Sequence, residues 1–362
     1  MLYNFYVPST AYFTELALSA QTSYAQLQDV AMARELSKGL ESLNGSFAQK
    51  TLSGKSYWYF AYRDLDGKVR QLYLGPSGDK LDTLIEEAKL KKAQTKQNDQ
   101  VDGLVRSAAA LGCSVGLPKH VRAIRRLSDY GFFKAGGVLV GTHAFAAMSN
   151  MLGVRWASGE STTDVDFAHA GRNVSVALPA DIEIDVHEAL SSFEAGFIPL
   201  VKLGGKSGAS YKLRGDDEVQ IDFLTSLTRE GEKPVTVANL NISLQPLRFM
   251  EFSLENVEQA VLFDRNGTSV VVNIPAPARY AVHKLLIVGE RSLRMRAKVN
   301  KDVQQSACLI AWLLDHRADD LKQSWQSALT RGPGWRTRLQ EGQAALSQAQ
   351  PELTKRLVQN LK

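Results

Sequence analysis

The chain has 362 residues, 44% hydrophobic and 22% charged, which suits a soluble globular protein of two or three domains that buries its core without staples. Its formal charge is +5, from 43 basic and 38 acidic residues, a mild bias compatible with nucleic acid or phosphate-rich ligands but proof of neither. The two cysteines, Cys113 and Cys308, fit no CxxC pattern, which argues against a zinc site or a disulfide framework and makes a reducing compartment the default.

The opening MLYNFYVPSTAYFTEL has no basic n-region and no continuous apolar h-region, so no signal peptide is expected. No run approaches 18 apolar residues, so the expectation is a cytoplasmic chain with no membrane span. Residues 11–45 space their apolar positions at three and four, predicting helix. The period then changes. SYWYFAYRD and KVRQLYLG flank Leu65-Asp66-Gly67-Lys68, and Asp-Gly between aromatic and β-branched runs predicts a hairpin. A charged helix, LDTLIEEAKLKKAQTKQ, follows. Polar residues 91–100 then close a helix–β-hairpin module assigned to residues 1–103. The hairpin interleaves aromatics with Arg63, Lys68 and Arg70. That pattern suits either the hairpin's own core or a nucleic-acid-binding face, and it is faintly similar to the DNA-arm binders of integrases.

A second helix is predicted over 118–130, with Pro118 in its first turn. GVLV, bounded by Gly136-Gly137 and Gly141, predicts a buried strand, and THAFAAMSNMLG a helix directly after it. The next strand lies in ASGESTTDVDFAHAG. NVSVALP and IEIDVHEAL add strand or strand–helix segments. YKLRGDDEVQIDFLTSL predicts an antiparallel pair turning near Gly215-Asp216-Asp217. After Pro275-Ala276-Pro277 the pattern is helical to the end, broken at Gly332-Pro333-Gly334. From Ala278 onward there are 15 Lys/Arg against 7 Asp/Glu, so basic surface concentrates there. The expected fold is α+β: the N-terminal module, a core with a mixed sheet and helices over 104–274, and a C-terminal helical domain over 275–362.

Three features of the core carry chemistry. Gly141-Thr142 sits at a strand-to-helix turn, where unpaired N–H groups and the helix dipole can receive phosphate oxygens; a simply capped helix is the alternative. Asp164 and Asp166 are i and i+2 on a strand and so face one side. Two adjacent carboxylates are costly without a cation, and oxygen-only ligands suit magnesium or manganese rather than zinc; a solvated strand end is the alternative. Asp222 lies opposite the aliphatic face of VQIDFL, where a lone acid would be ordinary surface. Together they form the metal-binding frame of nucleotidyl transfer.

GGVLVGTHAFAAMSNMLG, TTDVDF and VQIDFL resemble the polymerase-β-like nucleotidyltransferase superfold over roughly residues 120–310. More narrowly they resemble the bacterial AbiEii-type toxin nucleotidyltransferases. Gly141-Thr142 stands where Gly-Ser or Gly-Gly is usual. The resemblance implies a metal-dependent enzyme that moves a nucleoside monophosphate from an NTP to an acceptor hydroxyl, with Mg2+ or Mn2+ held by Asp164, Asp166 and Asp222. Gly141 and Thr142 would cradle the β and γ phosphates. Lys284 would meet the triphosphate, with Asp302 near that lysine or the base. The implied acceptor is RNA, tRNA included, in a toxin or phage-defence setting with a cognate antitoxin. A protein or small-molecule hydroxyl is the rival acceptor. A non-catalytic nucleotide- or nucleic-acid-binding module and a DNA-binding regulator are the rival classes.

Other charged residues also admit plainer roles. Arg291, Arg294, Arg296, Lys298 and Lys301 form a basic run in which Arg294 and Lys298 share a helix face. That face would hold phosphates or RNA, or only solvent. Arg155-Trp156 could contact a base or phosphate. Glu183 and Asp185 repeat the i, i+2 spacing, with His187 following, but buried Ile182, Ile184 and Val186 explain them as an ordinary strand. Asp216, Asp217 and Glu218 read as a solvent-facing turn, and His283 as a packed or surface residue.

Overall fold

Strand β1 (Phe13–Glu15) opens the computed structural model, which describes residues 12–37, 45–52, 54–63, 69–79, 81–83, 85–86, 97–159, 162–169, 184–193, 196–201, 207–215, 219–227, 231–291 and 296–362. Helix α1 (Leu18–Ser37) follows. The expected hairpin is a three-stranded antiparallel sheet of β2 (Gly45–Leu52), β3 (Lys55–Arg63) and β4 (Val69–Pro76). Its first strand, GSFAQKTL, was not anticipated, because Gln49, Lys50 and Thr51 weaken the apolar signal. The Asp66-Gly67 turn lies outside the described residues, as does most of the charged helix after it. Helix α2 (Gln97–Ala110) leads into the core.

The core begins with α3 (Pro118–Asp129), whose Pro118 occupies the first turn as expected. β5 (Gly137–Val140) is buried throughout and passes directly into α4 (Gly141–Met151). β6 (Val154–Trp156) pairs antiparallel with β1, so the N-terminal segment is stitched to the core. β7 (Asp164–His169) is the DVDF strand. The second i, i+2 pair is not a strand where it is described. Asp185 caps α5 (Val186–Ser191), accepting from the Glu188 N–H at 2.7 Å, because a short acidic side chain before VHEAL satisfies a helix's free amides. Glu183, NVSVALP and residues 216–218 lie outside the described set.

Strands β8 (Phe197–Val201), β9 (Ser207–Leu213), β10 (Gln220–Ser226), β11 (Val235–Val237) and β12 (Ile242–Leu247) complete a seven-stranded mixed sheet, in which β11, β12, β10, β7 and β5 lie side by side. β10 is parallel to β7 and β12 and antiparallel to β9. After the short helix α6 (Met250–Leu254), β13 (Val257–Phe263) and β14 (Ser269–Pro275) form a separate antiparallel ribbon.

The chain then becomes helical, as its pattern predicts: α7 (Pro277–Glu290), α8 (Arg296–His316), α9 (Ala318–Leu329), α10 (Pro333–Ala349) and α11 (Pro351–Leu361). α7 and α10 approach backbone to backbone. A Cβ on Gly289 would meet the Arg338 carbonyl at 2.3 Å, and one on Gly342 the Leu285 carbonyl at 2.1 Å, so glycine is what allows the contact. Among the described residues, no helix is long and apolar enough to cross a membrane.

Candidate active site

Strand register brings the carboxylates together. In the parallel β7–β10 pair, Asp164 lies opposite Gln220 and Asp166 opposite Asp222. Alternation puts these four on one face. Val165, Phe167, Ile221 and Phe223 take the other face, each with 0% exposure. Phe167 and Phe223 stack there with centroids 5.5 Å apart, and Phe132 packs edge-on against both. Apolar packing on one side therefore fixes where the acids point on the other. Gln220 Nε2 lies 3.0 Å from both Asp222 oxygens and donates to them. Burial, then the Asp222 charge, pushes the Asp166 carboxyl up to about 6; Asp164 adds to the push, while Lys284 and Lys298 oppose it.

The β5–α4 turn abuts the same carboxylate, because Val140 is the register partner of Asp166 in the antiparallel β5–β7 pair. Gly141 has φ +62°, and a Cβ there would stand 2.1 Å from Asp166 Oδ2. Conformation and space each demand glycine. Val140 offers no capping side chain, so the first amides of α4 keep their donors for another acceptor.

The cations come from α7 and α8. Lys284 and Asp302 form a buried ion pair at 2.7 Å, and Arg291 meets the other Asp302 oxygen at 2.9 Å. Burial opposes the Lys284 charge, but Tyr280 and Asp302 outweigh it and the net direction is up. Lys301 is half-buried. Burial and then Lys284 push its ammonium down, while Asp166, Asp302 and Asp164 pull it back. The charges of Lys301 and Lys298 are thus felt by the site's acids. Arg294 lies outside the described residues.

Sequence reasoning missed Tyr280, Gln305 and Gly159. The Tyr280 hydroxyl donates between the Gly141 carbonyl (2.8 Å) and Gln305 Oε1 (3.0 Å), and Gln305 Nε2 donates to the Gly159 carbonyl at 2.8 Å. The signal was present as spacing. Tyr280 is four residues before Lys284 and Gln305 three after Asp302, so each shares a helix face with a residue already singled out.

Several residues do not join the site. Arg155 donates to the Gly112 carbonyl at 2.6 Å and Trp156 to the Phe145 carbonyl at 2.8 Å, so this pair ties the frame together rather than offering itself to a base. His283 is packed in the interior, and burial pushes it down to about 3. His143 is likewise pushed to about 3, by burial and then by His120, whose Nδ1 lies 2.9 Å from His143 Nε2. Among the described residues no three His, Cys, Asp or Glu side chains stand in ready-made metal geometry.

Adjacent carboxylates, a glycine-enforced turn beside them and lysine charges that act on Asp166 make up the candidate site. A family model described as Nucleotidyltransferase matches residues 118–330, more than half of the chain, and the chain belongs to that family. Nucleotidyl transfer is therefore its general chemistry. Among solved structures it is similar to an antigenic nucleotidyltransferase-like protein from Paracoccidioides brasiliensis, at 16% identity over 67% of this chain and 93% of that one, with a TM-score of 0.33. No curated protein matches the chain.

Proposed function

We propose that this nucleotidyltransferase moves a nucleoside monophosphate from an NTP to an acceptor hydroxyl with the help of a divalent cation. The observation that carries the reading is the register pair Asp166–Asp222 beside the Gly141 turn. The donor chemistry suits a hard cation: the oxygens of Asp164, Asp166 and Asp222, with the Asp166 carboxyl pushed up by burial and then by the Asp222 charge. These three would hold Mg2+ or Mn2+, which when bound supplies charge neutralisation at the reacting phosphate.

The chain's own groups do the positioning. The first amides of α4 and the Thr142 hydroxyl receive the terminal phosphates. Lys301 and Lys298 neutralise them from α8, with Lys284 contributing its charge from deeper in the fold. Asp222 orients the acceptor hydroxyl. As its oxygen bonds to the α-phosphorus, the α–β bridging bond breaks and pyrophosphate leaves. The hydroxyl proton passes to a site carboxylate and on to water. Catalysis of this kind is mainly positioning and charge stabilisation, so few residues suffice.

We carry RNA, tRNA included, as the acceptor, because exposed Arg296 and Lys298 extend the cationic surface outward along α8. The resemblance to toxin nucleotidyltransferases supports a toxin or phage-defence setting with an antitoxin partner. The test uses each NTP labelled at its α-phosphate, Mg2+ and total RNA. Label should enter RNA and fall by about 10²-fold or more in Asp222→Asn, with the circular dichroism spectrum unchanged. Label in protein would replace the acceptor. Absence of transfer from every NTP to any acceptor would overturn the reading.

A further inference from the structure

Gln305 has 0% exposure, and its helix neighbours Ala307, Cys308 and Leu309 are buried apolar core. A methionine would fill the same space with no polar atoms to satisfy. The glutamine amide instead uses both of its ends. Its Nε2 donates to the Gly159 carbonyl at 2.8 Å and lies 3.4 Å from Thr142 Oγ1; its Oε1 accepts from the Tyr280 hydroxyl, which also reaches the Gly141 carbonyl at 2.8 Å. Gly159 is itself shaped to this side chain. It has φ +92°, and a Cβ there would meet Gln305 Cγ at 3.0 Å.

Every partner of Gln305 thus belongs to, or touches, a segment beside the carboxylates. Gly141 and Thr142 form the turn against Asp166, and Gly159 precedes Asp164 by five residues in the sequence. Nε2 lies 3.4 Å from Thr142 Oγ1, a long contact in which the amide is the donor, so the threonine hydroxyl can keep its own proton for another acceptor.

We propose that Gln305 is a positioning residue for the NTP phosphates. It fixes the Gly141–Thr142 turn and holds the buried Thr142 hydroxyl, 5% exposed, in place within it. This rests on the nucleotidyl-transfer reading above. Tyr280 is its relay to the turn's backbone, and α8 thereby sets the geometry of a turn more than 160 residues earlier in the chain.

The experiment is a double-mutant cycle on the full chain: wild type, Gln305→Met, Thr142→Ala and the pair, measured for NTP KM, acceptor KM and kcat. Gln305→Met should raise the NTP KM about tenfold and leave the acceptor KM unchanged. In the Thr142→Ala background the same change should add less than about twofold, because its route is already cut. Tyr280→Phe, which removes one hydroxyl and keeps the ring, should show the same NTP-selective loss and stands in if Gln305→Met does not fold. An unchanged NTP KM in a folded variant, or a full tenfold effect on top of Thr142→Ala, would overturn the proposal while wild-type transfer upholds the activity itself. A folded wild type that transfers from no NTP would remove both.

Discussion

Asp166 is a carboxylate whose surroundings favour its proton. Burial and the Asp222 charge raise its folded pKa from 3.8 to about 6. Between those two values the folded chain binds the proton more tightly than the unfolded chain. Metal-free stability should therefore fall as pH rises through that window and level off above it. The side chain is mostly buried, and solvent reaching its open part screens some of the effect, so the loss comes to about 1–2 kcal/mol. Asp166→Asn should recover that amount at pH 8, flatten the pH profile and abolish transfer. Urea unfolding of both proteins at pH 4.5 and pH 8 in EDTA measures it, and a wild type no weaker at pH 8 would refute it. An inactive variant that is more stable than its parent is what a strained catalytic site produces. The same pressure fixes Gly141, whose missing Cβ gives Asp166 Oδ2 its place.

At the scale of elements, the α7–α8 seam is held by Lys284, Asp302 and Arg291. Two charges taken out of water gain little over an apolar pair, but losing one partner leaves the other stranded. Lys284→Met alone should cost about 3–5 kcal/mol. The double change Lys284→Met, Asp302→Leu should recover most of it in chemical denaturation; a double variant as weak as the single one would show that the charges themselves stabilise the seam. Such elements show why some of the site was legible in sequence and some was not. Asp164, Asp166 and Asp222 were readable because strand alternation is local, with period two, and the buried Val165 and Ile221 declare the other face. That Asp222 would stand opposite Asp166, rather than one residue away, depends on β10 pairing with β7 across more than fifty positions, which no local period encodes. Asp185 misled for the converse reason. Its spacing was that of a strand, but the helix after it needed a cap. Tyr280 and Gln305 were hidden because a tyrosine and a glutamine in helical runs are ordinary until their neighbours across the seam are known.

At the scale of the whole molecule, the N-terminal segment is tied to chain far beyond it. Tyr12 donates to Gln350 at 2.9 Å, and the Tyr24 hydroxyl both donates to the Val261 carbonyl at 3.2 Å and accepts from its N–H at 2.9 Å. Between these anchors, Ala20 and Leu27 of α1 are fully buried in one apolar cluster with Val105 of α2 and Val261 and Phe263 of β13. α4, which begins at the Gly141 turn, also lies close to α1 and β13. The first helix is therefore part of the support beneath the turn, although the periodicity of residues 11–45 resembles that of a self-contained module. Leu27 has 0% exposure, so Leu27→Ala should cost about 2–5 kcal/mol from lost burial and the cavity left behind. The decisive measurement is how that loss is distributed. If α1 and the core unfold together, Leu27→Ala lowers the unfolding midpoint reported by hydrogen exchange at Val261 and at the β7–β10 amides by the same amount. If exchange quickens only in α1 while the β7–β10 amides keep their wild-type protection, α1 is an appendage and the turn stands without it.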